Sequence, residues 1–176
     1  MKELVTSVDI DAPAETVWEV LVDFEAYSEW NPRTRIAGRA VEGERLVVAP
    51  GPDAGNMPTF RPTVLRADGA ELRWLGHLYV RGLFDGEHRF VVEDLGEGWS
   101  RLTQSESFGG VLVRPIMRLY GEDTKAGFEA VNAALKDRAE AALVSEQSAD
   151  DATTTTTAAT VEGDGRSADA RVDTLA

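Results

Sequence analysis

Two short segments place polar and ionisable side chains where core residues belong. In "GEHRF" and the residues after it, His88, Phe90 and Val92 share one face of an extended chain, while Glu87, Arg89, Val91 and Glu93 share the other. In "RLTQSESF", residues 101–108, Leu102, Gln104, Glu106 and Phe108 fall together in the same way. If the large apolar residues face a core, His88, Gln104 and Glu106 face it with them. A buried carboxyl needs partners or shifts its pKa. A His–Glu pair facing a cavity is able to act as general acid and base, the chemistry that drives aldol cyclisation or dehydration. The same side chains serve equally as a satisfied polar cluster that orients a ligand or ties strand to strand. The chain holds only two histidines and no evident nucleophile, which weighs against catalysis.

Aromatic residues supply the second set of candidates. "ELRWLGHLYV", residues 71–80, alternates Leu72, Trp74, Gly76 and Leu78 with Arg73, Leu75, His77 and Tyr79. Trp74 is expected inside, because the other face carries Arg73 and His77. "VWEVLVDFEAYSEWNP", residues 17–32, concentrates Trp18, Phe24, Tyr27 and Trp30. These are expected to pack as a lid, with Trp30 the one to line a pocket. No cluster of His, Asp or Glu has metal-ligand spacing, and there is no cysteine to add a thiolate. No glycine-rich nucleotide or phosphate loop occurs. Neither a metal nor a cofactor is expected.

The elements that must position these residues can be read from periodicity. "KELVTSVDID" alternates as a strand, and "APAETVWEVLVD" has Val17, Trp18, Val20 and Leu21 at helical spacing. "FEAYSEW" gives a second short helix, ended by Asn31-Pro32. Six β-type runs follow, from "TRIAGRAV" to "SRLTQSESF", separated by turn residues at spacings that imply hairpins. "EDTKAGFEAVNAALKDRAEAALV" then carries Phe128, Val131, Leu135, Ala139 and Ala142 on one stripe, a helix of about six turns. Gly109-Gly110 before "VLVRPIMRLY" is expected to bend the chain, with "VLVRPIM" either a gate or a packed connection. The expected fold class is α+β. About seven antiparallel strands curve around the long C-terminal helix, and two short helices follow strand one.

Composition narrows the partners. The 176 residues carry a net charge of −13, spread along the chain. That charge disfavours nucleic acid and anionic membrane surfaces. No apolar run is long enough to span a bilayer. The N-terminal "MKELVTSVDIDAPAE" has acids where a signal peptide is apolar, so a cytoplasmic location is expected. Only Lys2, Lys125 and Lys136 are lysines, a pattern found in salt-loving proteins and equally in arginine-rich ones from GC-rich genomes. From residue 146 the text is Thr-rich and acidic without aromatics. Residues 1–145 are therefore expected to fold, and 146–176 to form a disordered tail.

Four stretches carry a resemblance to a known group: "IDAPAETVWEVLVDFEAYSEWNP", "GLFDGEHRF", "TQSESFGGVL" and "GFEAVNAALKDRAE". The chain resembles the START-like helix-grip (SRPBCC-type) superfamily, within it the polyketide cyclase/dehydrase-like and lipid-binding branch. The resemblance implies a helix-grip fold around a hydrophobic cavity, but no particular reaction. The leading expectation is binding or carriage of a small hydrophobic molecule, a lipid or polyketide-like compound. Trp30, Trp74, Phe90, Phe108 and Phe128 would line its site, and His88, Gln104 and Glu106 would form a polar end. The alternatives are a cyclase/dehydrase-type enzyme using His88 and Glu106, and a protein-interaction module without ligand.

Overall fold

The computed structural model describes residues 2–55, 57–77 and 80–161, with backbone alone for 119–121 and 146–161. The element order is β1 (Lys2–Ile10), α1 (Ala14–Val22), α2 (Tyr27–Trp30), β2 (Thr34–Ala37), β3 (Val47–Pro50), β4 (Thr63–Ala67), β5 (Glu71–His77), β6 (Asp85–Gly96), β7 (Trp99–Gly109) and α3 (Val113–Val161). This is the α+β order read from the sequence. The chain divides into two compact units, Met1–Leu143 and Val144–Ala176.

Hairpin connections make β4 to β7 a meander, and β1 returns to close the far edge. The resulting antiparallel sheet has the order β1-β7-β6-β5-β4. The single curved sheet expected from the sequence is instead five strands plus a separate β2–β3 pair. Prolines explain the break. Pro50, Pro58 and Pro62 lack the N–H that a continuous ladder requires, so β3 and its flank meet the β4 region at the bridges Arg45–Thr63 and Val48–Phe60 and by a Gly43 N–H bond to the Val64 carbonyl at 2.9 Å.

Strand register stacks the inner-face side chains in rows. One row runs Leu4, Glu106, His88, Trp74 and Val64 from β1 to β4. The next runs Thr6, Gln104, Phe90 and Leu72. The stripe of α3 packs on this face. Leu135 and Ala139 are fully buried in one cluster with Ile10, Leu72, Trp74, Phe90 and Leu102. Phe24 and Tyr27 join the same core, and the Tyr27 hydroxyl donates to the Leu21 carbonyl at 2.6 Å. The aromatic concentration near the N-terminus is thus mostly core.

The opposite face is ionic. Glu71 is buried beneath Arg66, Arg73 and Arg89, with the Arg89 hydrogen bond at 3.0 Å. His77 also lies on that face, as expected, and its Nδ1 meets Asp85 at 2.7 Å. Leu78 and Tyr79 fall outside the described residues.

The connection into α3 bends at Gly110, whose φ of +110° favours glycine. A Cβ there would come within 2.6 Å of the Leu83 carbonyl oxygen. "VLVRPIM" is a packed connection. Its first residues lead into α3, Pro115 sits in the first turn, and Val113 and Met117 are buried. The bounds of α3 run to Val161, into the first part of the expected tail. Extending a helix needs no new nucleus, and no Gly or Pro interrupts the chain between Gly127 and Gly163. Residues 162–176 of that expected tail lie outside the described residues.

Leu135 sits where the helix meets the sheet. Leu135→Ala is expected to lower the unfolding free energy by about 2–5 kcal/mol, read from urea unfolding. Ala133→Ser on the exposed face of the same helix should change it by less than about 0.5 kcal/mol.

Candidate functional site

His88 is held by its neighbours on three elements. Its ring stacks on Phe90 at 4.6 Å with planes 14° apart, and lies 5.3 Å from Trp74 and 5.0 Å from Phe128. Strand alternation supplies Phe90, the β5 register supplies Trp74, and the α3 stripe supplies Phe128. The Gln104 amide nitrogen lies 2.8 Å from His88 Nε2. With that nitrogen donating, Nε2 accepts, and the proton of the neutral ring sits on Nδ1 facing Glu106.

Glu106 is the cross-strand partner of His88, and its Oε2 stands 3.7 Å from Nδ1. That is close enough for an ion pair but too long for a hydrogen bond. Room for the carboxyl comes from Gly86, because a Cβ at residue 86 would come within 2.5 Å of Oε1. Burial then acts on both groups in opposite senses. It pushes the Glu106 carboxyl up to about 8 and the His88 imidazole down to about 3. At neutral pH the pair is an uncharged acid beside an uncharged base. An ion pair would need more hydrogen bonds than this apolar wall provides to offset the loss of water.

The polar cluster extends further than the sequence suggested. Thr6 is the cross-strand partner of Gln104, and the Asn132 amide donates to its hydroxyl at 2.9 Å. Both residues are buried. Gln104 Oε1 and Asn132 Oδ1 are enclosed without a hydrogen-bond partner. Thr6 was legible in the alternation of Leu4, Thr6, Val8 and Ile10. Asn132 was legible too, lying four residues after Phe128 and three before Leu135 on the stripe.

Six of the eight expected ligand residues therefore come together: Trp74, His88, Phe90, Gln104, Glu106 and Phe128. Phe108 lies one inner-face position beyond Glu106, in a smaller cluster with Val113 and Met117 that Leu4 and Phe84 flank. Trp30 stands apart from the His88 group. It meets Tyr27 edge-on, ring centres 4.6 Å apart, and lines a separate cleft of about 290 Å3 with Val20, Asp23, Arg138 and Ala142. A short helix turns Trp30 toward α1 and α3, which aromatic content alone did not reveal. Among the described residues no group of three or more His, Asp or Glu can hold a metal. None of their helices is long and apolar enough to cross a membrane.

A curved antiparallel sheet closed by a long C-terminal helix, with polar groups on its inner face, invites comparison with known proteins. The family model described as polyketide cyclase/dehydrase and lipid transport matches residues 1–140. The chain belongs to that family. No curated protein matches it. Solved structures with the same START-like helix-grip architecture include a hypothetical protein of Helicobacter pylori, with TM-score 0.65 and 16 % identity over 78 % of this chain and 88 % of that one. A START superfamily protein of Mycobacterium smegmatis has TM-score 0.59 and 22 % identity over 78 % and 97 % of the two chains. A norcoclaurine synthase point mutant of Thalictrum flavum, in complex with a transition-state analogue, has TM-score 0.60 and 14 % identity over 78 % and 93 %. At these identities the likeness is one of fold.

The pKa shifts set the sign of the pH dependence. His88 is lowered from 6.5, so its contribution to stability is present above pH 6.5 and lost as pH falls toward 3. Glu106 is raised from 4.5, so its contribution is present below pH 4.5 and lost as pH rises toward 8. The two oppose each other between 4.5 and 6.5. Relative to wild type, Glu106→Gln is therefore expected to gain stability from pH 4.5 to 8, measured as the difference in urea midpoints. In NMR titration, the His88 ring should show no protonation step near 6.5 in the folded protein.

Proposed function

We propose that this protein binds and carries a small hydrophobic molecule between the inner face of the sheet and α3. The observation that carries the reading is the uncharged His88–Glu106 pair set in a wall of Trp74, Phe90 and Phe128. Both side chains keep some exposure, 13 % for His88 and 19 % for Glu106, so each remains reachable. An apolar wall with a few fixed polar groups is the usual composition of a small-molecule site. The family's description, cyclase/dehydrase and lipid transport, supports both carriage and chemistry on such a molecule.

The arrangement also supports a second reading, that the pair performs acid–base chemistry on the bound molecule. A protonated carboxyl facing a neutral imidazole supplies a proton donor and a proton acceptor at the same pH. Loss of water from a β-hydroxy carbonyl compound would use both, the ring's lone pair at Nε2 being freed from Gln104 to take the α-proton and the carboxyl protonating the departing hydroxyl. A docking role has less support. The outer sheet face is occupied by the Glu71 cluster, and the large exposed hydrophobic residues Val5, Leu95, Trp99 and Val111 are spread over different elements.

Native mass spectrometry of the protein from its own host, followed by denaturing extraction, is expected to reveal a stoichiometric hydrophobic compound. Binding of the neutral fluorescent probe N-phenyl-1-naphthylamine should fall at least about tenfold when Phe128→Asp introduces a charge into the wall. A clean protein that also fails to bind the probe would overturn the carriage reading. Glu106→Gln separates the two roles. Carriage leaves probe binding near wild type and finds no conversion of the extracted compound, whereas catalysis predicts turnover in wild type that the variant loses.

A further inference from the structure

We infer that the site selects uncharged ligands whose polar end is a carbonyl or hydroxyl, and rejects carboxylates such as free fatty acids. The inference rests on the carriage reading above and names the chemical class that site would take. It follows from where this chain puts its cations.

Every polar side chain assigned to the inner wall is a neutral donor or acceptor: Thr6 and Glu106 offer hydroxyl groups, Gln104 and Asn132 amides, and His88 a neutral ring. No lysine or arginine is among them. The cations of the described chain are committed elsewhere or exposed. Arg66, Arg73 and Arg89 converge on Glu71 at the outer face. Arg101 holds Asp9, and Arg138 holds Glu29. Lys125 and Lys136 pair along α3 with Glu129 and Glu140. Arg35 donates to backbone carbonyls of the α2–β2 connection, including Thr34 at 2.9 Å. Arg33 approaches α3 beside Gly127, one residue from Phe128, yet its guanidinium is taken by Asp123 at 3.1 Å and by the Asp53 carbonyl. Arg39 pairs with Glu44. Lys2, two residues before Leu4 and opposite Phe108, is exposed at the edge of the wall, as are Arg45, Arg61, Arg81, Arg114 and Arg118 elsewhere.

A ligand carboxylate entering this wall would lose water and meet no cation. It would also lie beside Glu106, the one carboxyl there, which is itself kept neutral by the same surroundings. Burying an unpaired charge costs far more than burying a hydrogen-bonded neutral group. A ketone, ester or alcohol avoids that cost. Its oxygen accepts from the Glu106 hydroxyl, and an alcohol also donates to the carboxyl's other oxygen. The reachable polar atoms are those of Glu106 and His88, since the amides of Gln104 and Asn132 end in enclosed oxygens. The selectivity is thus set at one end of the His88 row, where the absence of a side chain at Gly86 makes room for the carboxyl itself.

The test is displacement of N-phenyl-1-naphthylamine from the full chain at pH 7 by decan-2-one, 1-decanol and decanoic acid, which share a chain length. The ketone and the alcohol are expected to displace the probe at concentrations at least about tenfold lower than the acid. Glu106→Gln, which keeps a neutral donor in place, should preserve that order. Equal or better displacement by the acid overturns the inference while leaving carriage intact. An order that disappears in Glu106→Gln overturns it as well, because the discrimination would then come from an ionised Glu106. If the probe fails to bind and no compound co-purifies, the carriage reading falls and takes this inference with it.

Discussion

The register of β6 against β7 is the constraint on which the site depends. Side chains along a strand alternate with period two, so a one-residue slip of β6 would send His88 outward and bring Arg89 in, and a slip of β7 would exchange Gln104 and Glu106 for Ser105 and Ser107. Phe90, Val92, Leu102 and Phe108 hold the register from the inner face, since all four are buried there. Arg89 and Glu71 tie β6 to its other neighbour, β5, from the outer face. The polar residues of the wall are therefore positioned by the apolar residues that alternate with them. The His88–Glu106 contact adds little to that positioning, as its 3.7 Å gap shows, whereas Gln104 fixes the ring at 2.8 Å.

The two faces of the sheet solve the problem of buried acids in opposite ways. Glu71 is buried but ionised, because Arg89 donates a hydrogen bond and Arg66 and Arg73 add their charge, together holding its carboxyl below the usual range. Glu106 is buried beside a neutral ring and aromatic faces, and burial holds its proton on. Three arginines lie around Glu71, and none lies among the polar side chains of the inner wall. The difference in surroundings accounts for the opposite charge states of the two acids.

Much of this was legible in the sequence, for a definite reason. Alternation in β6 and β7, anchored by large apolar residues, is a local signal, and it placed His88, Gln104 and Glu106 inward. The α3 stripe gave Phe128 by the same logic with a different period. Thr6 and Asn132 were carried by these signals but masked by polarity, since a polar residue on an apolar stripe is easily read as an interruption. What was not legible depended on pairing between distant segments. The burial of Glu71 needs Arg89 from the neighbouring strand, and no single-strand pattern contains both. Trp30 is large and aromatic like the wall residues, yet the direction of a four-residue helix decided that it faces another cleft. The separation of β2–β3 turned on prolines whose effect depends on which N–H the neighbouring strand requires.

Carriage and catalysis remain close neighbours on this fold because they ask the same things of the wall and differ in one. Both need an apolar enclosure and a polar end that orients the ligand. Catalysis also needs the acid and the base to reach different atoms of one molecule. Here the separation of Glu106 Oε2 from His88 Nδ1 matters, because a direct hydrogen bond would join the two groups to each other. Gly86 keeps the carboxyl on one side, and Gln104 anchors the ring from the other, through Nε2. A ligand oxygen seated against Glu106 would then lie beside, rather than between, the proton donor and the proton acceptor. Turnover would depend on whether the ligand carries an acidic C–H within reach of the imidazole. It would depend as well on the base nitrogen, because Nδ1 carries the ring proton and Gln104 occupies Nε2.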